Sequence, residues 1–188
     1  MHSVFVAGSR ALSRLNPEIR KRLDNIVDQN FSVLVGDANG ADKAVQKYLA
    51  ERRFPHVIVY CMESCRNNLG EWPVRSHTAE RDVKRDRYYY GIKDAAMAKD
   101  ATCGFMLWDG ISKGTLSNAI NLLDSNKKVV LYLSPKKQFF NLHNFADLDK
   151  ALNANGITDV ARFLESMGLR GAASKKLSFD AAGLAVRQ

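Results

Sequence analysis

Five apolar runs of strand length recur along the chain, and segments with helical spacing separate them. The runs are rich in β-branched residues and nearly continuous, as in strands buried on both faces of a parallel sheet. They cover Ser3–Ala7, Ser32–Val35, Val57–Cys61, Gly104–Trp108 and Val129–Leu133. This alternation predicts an α/β protein with a Rossmann-like, doubly wound, mainly parallel sheet of about five or more strands, with helices on both faces.

Three of the intervening segments place their apolar residues on one face of a helix. These predicted helices are Pro17–Gln29, Ala41–Arg53 and Leu116–Ser125. Asn16 is a candidate N-cap of the first helix, because asparagine favours that position and a proline follows in the first turn. Two shorter helices are predicted after Pro135, at Ala146–Leu152 and Thr158–Met167.

Residues 62–92 interrupt this rhythm, with no clear strand or long helix. Irregular segments this long inside a compact domain tend to be lids, binding loops or disordered stretches, so a lid or irregular insertion is predicted. Trp72 and Tyr88–Tyr90 lie in this segment. Their aromatic rings either stack on a ligand base or anchor the segment to the core, and the sequence leaves both open.

Composition adds the protein class and the compartment. The chain has 188 residues, 46% of them hydrophobic and 26% charged, which is typical of one globular domain. No apolar run is long enough to span a membrane and no signal-peptide layout opens the chain, so a cytoplasmic protein without membrane contact is expected. The cysteines Cys61, Cys65 and Cys103 are odd in number and predict free thiols, without a metal site.

The net charge of +8 bears on the choice of partner. A basic protein attracts phosphates and nucleic acid. Here the basic excess is spread along the whole chain, which favours a solvated surface over a nucleic-acid stripe. Nucleic acid is therefore a partner to consider, but not the favoured one.

Three of the predicted strands end in a glycine-bearing turn that opens a helix. The turns are Gly8-Ser9-Arg10, Gly36-Asp37-Ala38-Asn39-Gly40-Ala41-Asp42 and Trp108-Asp109-Gly110-Ile111-Ser112-Lys113-Gly114-Thr115. The carboxyl ends of parallel strands share one edge of the sheet, so we expect the turns to converge. Glycine admits a ligand close to the backbone, and a helix N-terminus offers N–H groups to an anion.

The polar residues of these turns are of two kinds. Arg10, Ser112, Lys113 and Thr115 are donors for a phosphate. The carboxylates accept hydrogen bonds from ribose hydroxyls or a base amino group, and they are Asp37, Asp42 and Asp109. A nucleotide satisfies both kinds. Asp42 and Asp109 also fit the simpler roles of helix cap and turn former.

Together with Lys93-Asp94-Ala95-Ala96-Met97-Ala98, these turns resemble the signatures of the SLOG superfamily. That group of Rossmann-like domains includes the SMF/DprA proteins, the Lonely Guy hydrolases and the YpsA/YspA-like bacterial proteins, and the last branch is the nearest. The resemblance runs from Val4 to Leu152. It implies a nucleotide-binding domain over residues 1–152 and a homodimer. The residue pattern itself predicts a short helical extension over 153–188, with a small-residue, basic and mobile tail at 171–188.

The resemblance implies a small ligand of the nucleotide or NAD-derived type, for a sensor or an enzyme. The implied ligand-binding residues are Gly8, Ser9, Arg10, Gly36, Asp37, Asn39, Gly40, Asp42, Lys93, Trp108, Gly110, Ser112, Lys113, Gly114 and Thr115.

The chain departs from the Lonely Guy pattern at one position that matters for chemistry. Those hydrolases have a glutamate after the last turn, where this chain has Asn118. An amide cannot act as a general base or stabilise an oxocarbenium ion by charge. An N-ribosidic hydrolase is therefore the alternative function, with Asp94 or Asp109 as the catalytic carboxylate, and a single-stranded nucleic-acid binder is a third.

Overall fold

The computed structural model describes residues 2–79 and 87–169. Within these ranges seven strands form one sheet and six α-helices surround it. The strands are β1 (Ser3–Gly8), β2 (Ser32–Gly36), β3 (Val57–Met62), β4 (Val74–His77), β5 (Cys103–Trp108), β6 (Lys128–Leu133) and β7 (Gln138–Leu142). The helices are α1 (Pro17–Asp28), α2 (Ala41–Glu51), α3 (Arg87–Asp100), α4 (Lys113–Asp124), α5 (Phe145–Ala154) and α6 (Val160–Ser166), and a 3₁₀ turn occupies Ser134–Lys136.

The strand order is β4-β3-β2-β1-β5-β6-β7. All neighbours pair in parallel except β6 and β7, which are antiparallel. The chain builds the sheet outward from β1 through β4, returns across it through α3, and continues on the other side from β5. The point of reversal thus lies between β1 and β5, and ligands of open α/β sheets bind at that point, beyond the carboxyl ends of the strands. The predicted fold class is confirmed.

Two apolar cores lie on opposite faces of the sheet. Phe5 and Val6 are neighbours in β1, yet each is fully buried, Phe5 with α3 and α4 and Val6 with α1 and α2. Successive strand residues point to opposite faces, so a strand covered on both faces must be apolar at every position. This is why the strand runs were continuous rather than alternating.

The first helix begins as predicted. The side chain of Asn16 accepts a hydrogen bond from the N–H of Ile19 at 2.9 Å, and Pro17 occupies the first turn. Its apolar face buries Ile19, Leu23 and Ile26 against the sheet.

Two strands were not predicted from the sequence. β4 carries the sequence VRSH, is largely exposed and pairs at the sheet edge with β3, where Tyr60 is opposite Arg75. β7 follows a tight turn in which Lys137 has φ 49°, and it pairs antiparallel with β6. Edge strands bury little surface, so their sequences lack the apolar run that marks a central strand.

The interpretation of residues 62–92 as irregular is wrong for β4 and for the first turns of α3. Helix α3 was missed because its buried face carries a charge: Lys93 lies between the buried Tyr89 and Met97. A lysine at a core position interrupts the helical spacing of apolar residues by which a helix is recognised. Trp72 anchors this segment to the core, because its ring is buried and its Nε1 donates to the carbonyl of Phe54 at 2.8 Å. Residues 80–86 of the predicted lid lie outside the described residues.

The prediction of free thiols is wrong for two of the three cysteines. Cys61, at the end of β3, and Cys65, in the following loop, form a disulfide, with their Cα atoms 5.2 Å apart. The chain turns back at the end of β3 and brings the pair within the range that a disulfide spans. Cys103 is a free thiol.

The predicted boundary at residue 152 falls inside α5, and Leu164 of α6 joins the same core as Leu148 and Leu152. The predicted tail at 171–188 lies outside the described residues. Within the described ranges, none of the helices is both long and apolar enough to cross a membrane.

Candidate functional site

A cavity of about 710 Å³ opens at the carboxyl ends of β1 and β5, at the reversal point of the sheet. The first and third glycine-bearing turns line it directly, and the second contributes Ala38 and Asp42. The sequence-predicted residues that the structure brings together here are Gly8, Ser9, Arg10, Asp42, Lys93, Asp94, Asp109, Ser112, Lys113, Gly114 and Thr115.

Six predicted residues do not line the cavity. They are Gly36, Asp37, Asn39, Gly40, Trp108 and Gly110. Trp108 is fully buried and its Nε1 donates to the carbonyl oxygen of Ser112 at 3.0 Å, so it supports the third turn from below. The carbonyl of Gly110 accepts a hydrogen bond from the Asn155 side chain at 3.0 Å, which ties the same turn to the end of α5.

Gly40 joins the first two turns. It has φ +88°, a conformation that side chains rarely adopt, and a Cβ there would lie 2.3 Å from the carbonyl oxygen of Arg10. Only glycine allows the two turns to approach this closely. The Asn39 side chain accepts a hydrogen bond from Asn67 at 3.2 Å, so it is engaged with the loop after β3.

The floor of the cavity is a cluster of charges on α2 and α3. The Lys93 side chain is only 5% exposed, and its Nζ lies 2.8 Å from Oδ1 of Asp94. Asp42 lies beside it, since a Cβ built on Gly36 would come within 3 Å of both Asp42 Oδ2 and Lys93 Nζ. Burial alone would lower the pKa of Lys93, but the carboxylates of Asp94, Asp42 and Asp37 outweigh it and raise that pKa.

The pKa of Asp42 lies well above that of an ordinary aspartate. Burial raises its pKa to about 6, and the charge of Asp94 adds to the rise, although Lys93 and the N–H of Ala38 oppose it. Among the described residues, its carboxylate accepts a hydrogen bond from Ala38 N–H at 3.3 Å. A buried carboxylate with so little hydrogen bonding gives up a proton reluctantly.

Asp37 is held in a different way. Arg66 binds it with two donors, Nε to Oδ2 at 2.9 Å and Nη2 to Oδ1 at 2.7 Å, and the Arg66 N–H adds a third hydrogen bond. Burial alone would raise the pKa of Asp37, but these bonds and the nearby Lys93 lower it below its usual value. Asp37 therefore fixes the loop after β3 to the loop after β2.

The opposite wall is the start of α4. Ser112 is the N-cap residue, but its side chain makes no capping hydrogen bond; its Oγ instead accepts from Thr115 Oγ1 at 3.1 Å. A Cβ on Gly114 would meet nothing within 4 Å, so the backbone there is open to the cavity. An uncapped helix start with an adjacent lysine, Lys113, is a favourable environment for an anion.

Asp109 shapes the turn that leads into α4. Its Oδ1 accepts hydrogen bonds from the N–H groups of Ile111 and Ser112, at 3.1 and 2.7 Å. Its Oδ2 accepts from Ser9 Oγ at 2.5 Å, so the carboxylate also joins the first turn to the third. This is the turn-forming arrangement that aspartate commonly adopts.

Further residues line the cavity that were not among the predicted ligand contacts, chief among them Arg66, Tyr90 and Asn118. The guanidinium of Arg66 lies 4.8 Å from the centre of the Tyr90 ring, and the pair closes one side of the cavity. Asn118 is buried on α4 and its Nδ2 lies 3.4 Å from Oδ2 of Asp94. The glutamate of the Lonely Guy pattern is thus replaced by an amide that faces a carboxylate on α3.

These features define a Rossmann-like α/β protein with a polar cavity at the reversal point of its sheet. No protein-family model matches the sequence, and no curated protein matches it. Among solved structures, the chain is similar to DNA processing protein A from Helicobacter pylori, whose structure is described as revealing a single-stranded DNA binding mode. The two share 14% sequence identity over 88% of this chain and 80% of that chain, with a TM-score of 0.55.

This likeness confirms the Rossmann-like fold. Membership of the SLOG superfamily stays a prediction. The finer placement in the YpsA/YspA-like branch stays a prediction.

Proposed function

We propose that the cavity binds a nucleotide or a nucleotide-derived ligand, NAD derivatives included. The observation that carries the proposal is the polarity of the cavity: one wall is an open helix start with a lysine, and the floor carries two carboxylates. An anion suits the wall and a hydroxyl- or amino-bearing group suits the floor, and a nucleotide has both.

The phosphate is assigned to the start of α4. The backbone N–H groups of Lys113 and Gly114 belong to the first turn, where a helix has no internal acceptors for them. Lys113 Nζ and the hydroxyl of Thr115 supply further donors, and Arg10 lines the cavity from the first turn. These groups form a cradle of the kind that helix N-termini offer to phosphates.

The sugar and base are assigned to the floor. Asp42 and Asp94 both line the cavity, and their oxygens accept hydrogen bonds from ribose hydroxyls or a base amino group. Asn118, which also lines the cavity, has an amide that both donates and accepts. The pKa of about 6 at Asp42 implies that its hydrogen-bonding role changes near neutral pH.

A panel of nucleotides tests this proposal through the melting temperature. A ligand that binds the folded state alone stabilises it by mass action, by roughly 3 kcal/mol at a hundredfold excess over Kd. This added stability raises the melting temperature. We expect at least one nucleotide or NAD derivative to give a saturable rise, and the matching nucleoside without phosphate to give a smaller one. No rise across the panel would contradict the proposal.

Hydrolysis of an N-ribosidic bond is the second candidate, favoured by the pair of carboxylates in the floor. Asp42, with its raised pKa, suits proton transfer, and Asp94, paired with Lys93, suits charge stabilisation. Asp94 is preferred to Asp109, because the Asp109 carboxylate accepts three hydrogen bonds that hold the first and third turns in place. Release of free base from nucleoside monophosphates, lost in Asp94→Asn, would support hydrolysis; a ligand that binds without base release would rule it out.

Binding of single-stranded nucleic acid is the third candidate. It has in its favour the net charge of +8 and the fold shared with a protein described as binding single-stranded DNA. Such binding weakens steeply with salt, because counterions are released from the phosphates. Titration of a labelled oligonucleotide at two salt concentrations tests it, and absent or salt-insensitive binding would contradict it.

A further inference from the structure

A second hollow, of about 520 Å³, adjoins the main cavity on the outer surface of α3 and α4. Three residues line both spaces: Gly91 on α3, and Lys113 and Ser117 on α4. The two spaces are therefore neighbours at these residues. The proposed function uses only the first of them.

The second hollow differs in chemistry from the main cavity. Its α3 side consists of Tyr88, Gly91, Ile92 and Ala95, which share one face of the helix. This face has an aromatic ring at one end and small side chains beyond it. Tyr88 is 74% exposed, and a Cβ on Gly91 would meet nothing within 4 Å, so the face has room for a flat group.

Lys113 lies where the two spaces meet. It lines both, and a Cβ built on Gly168, beyond the end of α6, would lie 3.4 Å from Lys113 Nζ. Lys113 thus borders both the polar main cavity and the Tyr88 hollow. A single cation between two hollows matches a ligand with a charged middle and two bulky ends.

We infer that the ligand has two nucleoside units joined through phosphate, with the linking phosphate at Lys113 and the second base against Tyr88. The inference rests on the proposed function, because it takes the first unit to occupy the main cavity. A mononucleotide would leave the second hollow empty. A base stacks on an aromatic ring without regard to its identity, so Tyr88 accepts any base. Two sources supply this chemistry: a free dinucleotide linked by pyrophosphate, or two neighbouring nucleotides of a strand.

Calorimetric titration with paired ligands tests the inference. The probes are AMP and GMP, the pyrophosphate-linked diadenosine and diguanosine diphosphates, and the phosphodiester-linked pApA and pGpG. We expect the two-unit ligand of at least one linkage to bind about tenfold or more tightly than its mononucleotide, the range that one base stacked on an aromatic ring supplies. Preference for the pyrophosphate linkage identifies a free dinucleotide, and preference for the phosphodiester identifies a strand.

Variants on α3 separate the second hollow from the first. Tyr88→Ala is expected to remove most of the tenfold preference while the affinity for the mononucleotide stays the same, and Tyr88→Phe, which keeps the ring, is the matched control. Ala95→Gln, which fills the hollow from an exposed helix position, is expected to act like Tyr88→Ala.

Equal affinity for one-unit and two-unit ligands would overturn the inference and leave the proposed function standing. The same follows if Tyr88→Ala weakens both kinds of ligand by the same factor. Failure of all six probes to bind would instead contradict the proposed function, and this inference with it.

Discussion

Arg66 and Asp37 form a two-pronged ion pair that joins the loops after β3 and β2, with the shorter contact at 2.7 Å. Asp37 is almost fully buried, whereas the Arg66 side chain is 43% exposed and extends over the Tyr90 ring at the cavity rim. The pair therefore holds the cavity wall at Arg66 in a fixed position relative to the loop after β2. Asp37 itself does not line the cavity, whereas Arg66 does.

Removing Arg66 should destabilise the fold. Arg66→Ala leaves the buried Asp37 carboxylate without its partner, and breaking such pairs costs several kcal/mol; because Arg66 is partly exposed, we expect about 2 kcal/mol. Denaturant unfolding measures the change. The matched control is Arg75→Ala, which breaks the more exposed pair with Asp100 and should cost less than about 1 kcal/mol. Equal costs for the two variants would contradict this account of Arg66.

Asp42 should make stability fall as the pH rises. Its pKa is about 6 in the folded protein and near 4 when unfolded, so between these values the folded state holds a proton that the unfolded state has lost. The stability that this proton provides is present below pH 4 and lost by about pH 7, at a cost of roughly 3 kcal/mol.

Asp42→Asn removes that titration, while the charges that face it on Lys93, Asp94 and Asp37 remain. Measured from pH 4 to 7, the free energy of unfolding of the variant should therefore rise relative to that of the wild type. Parallel curves for the two proteins would show that Asp42 titrates normally.

The central sheet was predictable from the sequence because its strands are buried on both faces and so are apolar throughout. The edges were not. Nothing in VRSH marks β4 as a strand, since its place depends on pairing with β3. Helix α3 carries Lys93 on its buried face, and only the three-dimensional arrangement shows the carboxylates that neutralise it.

The site was predictable to a similar degree. Most residues of the first and third turns line the cavity, because topology alone brings the carboxyl ends of β1 and β5 together. The sequence did not reveal which carboxylate of the second turn faces the cavity. Asp42 does, while Asp37 turns away to Arg66, a partner 29 residues further along the chain.

Two glycines in the turns should respond in opposite ways to alanine. Gly40→Ala would place a methyl against the Arg10 backbone at a positive φ, and we expect a loss of about 3 kcal/mol or more. Gly114→Ala adds a methyl in open space within the first turn of α4, so stability should change by less than about 1 kcal/mol, in the stabilising direction. Thermal unfolding distinguishes them, and a tolerated Gly40→Ala would contradict the close approach of the two turns.

Lys113 should contribute to phosphate binding and not to folding. Lys113→Gln is expected to weaken binding of a nucleoside monophosphate by about tenfold, near 1.4 kcal/mol, and to leave binding of the nucleoside unchanged. The control is Lys128→Gln, which should bind like the wild type. Lys128 is exposed at the start of β6, at the opposite end of the strand from the cavity. A loss shared equally by the two variants would indicate only a general effect of net charge.

The central claim is that the cavity between β1 and β5 receives a phosphate-bearing nucleotide. A crystal structure with the tightest-binding nucleotide of the panel tests it most directly. The account predicts density for a phosphate within hydrogen-bond distance of Lys113 Nζ and the first N–H groups of α4, with the sugar or base over Asp42 and Asp94. A nucleotide bound on another surface, with this cavity occupied by water alone, would contradict it.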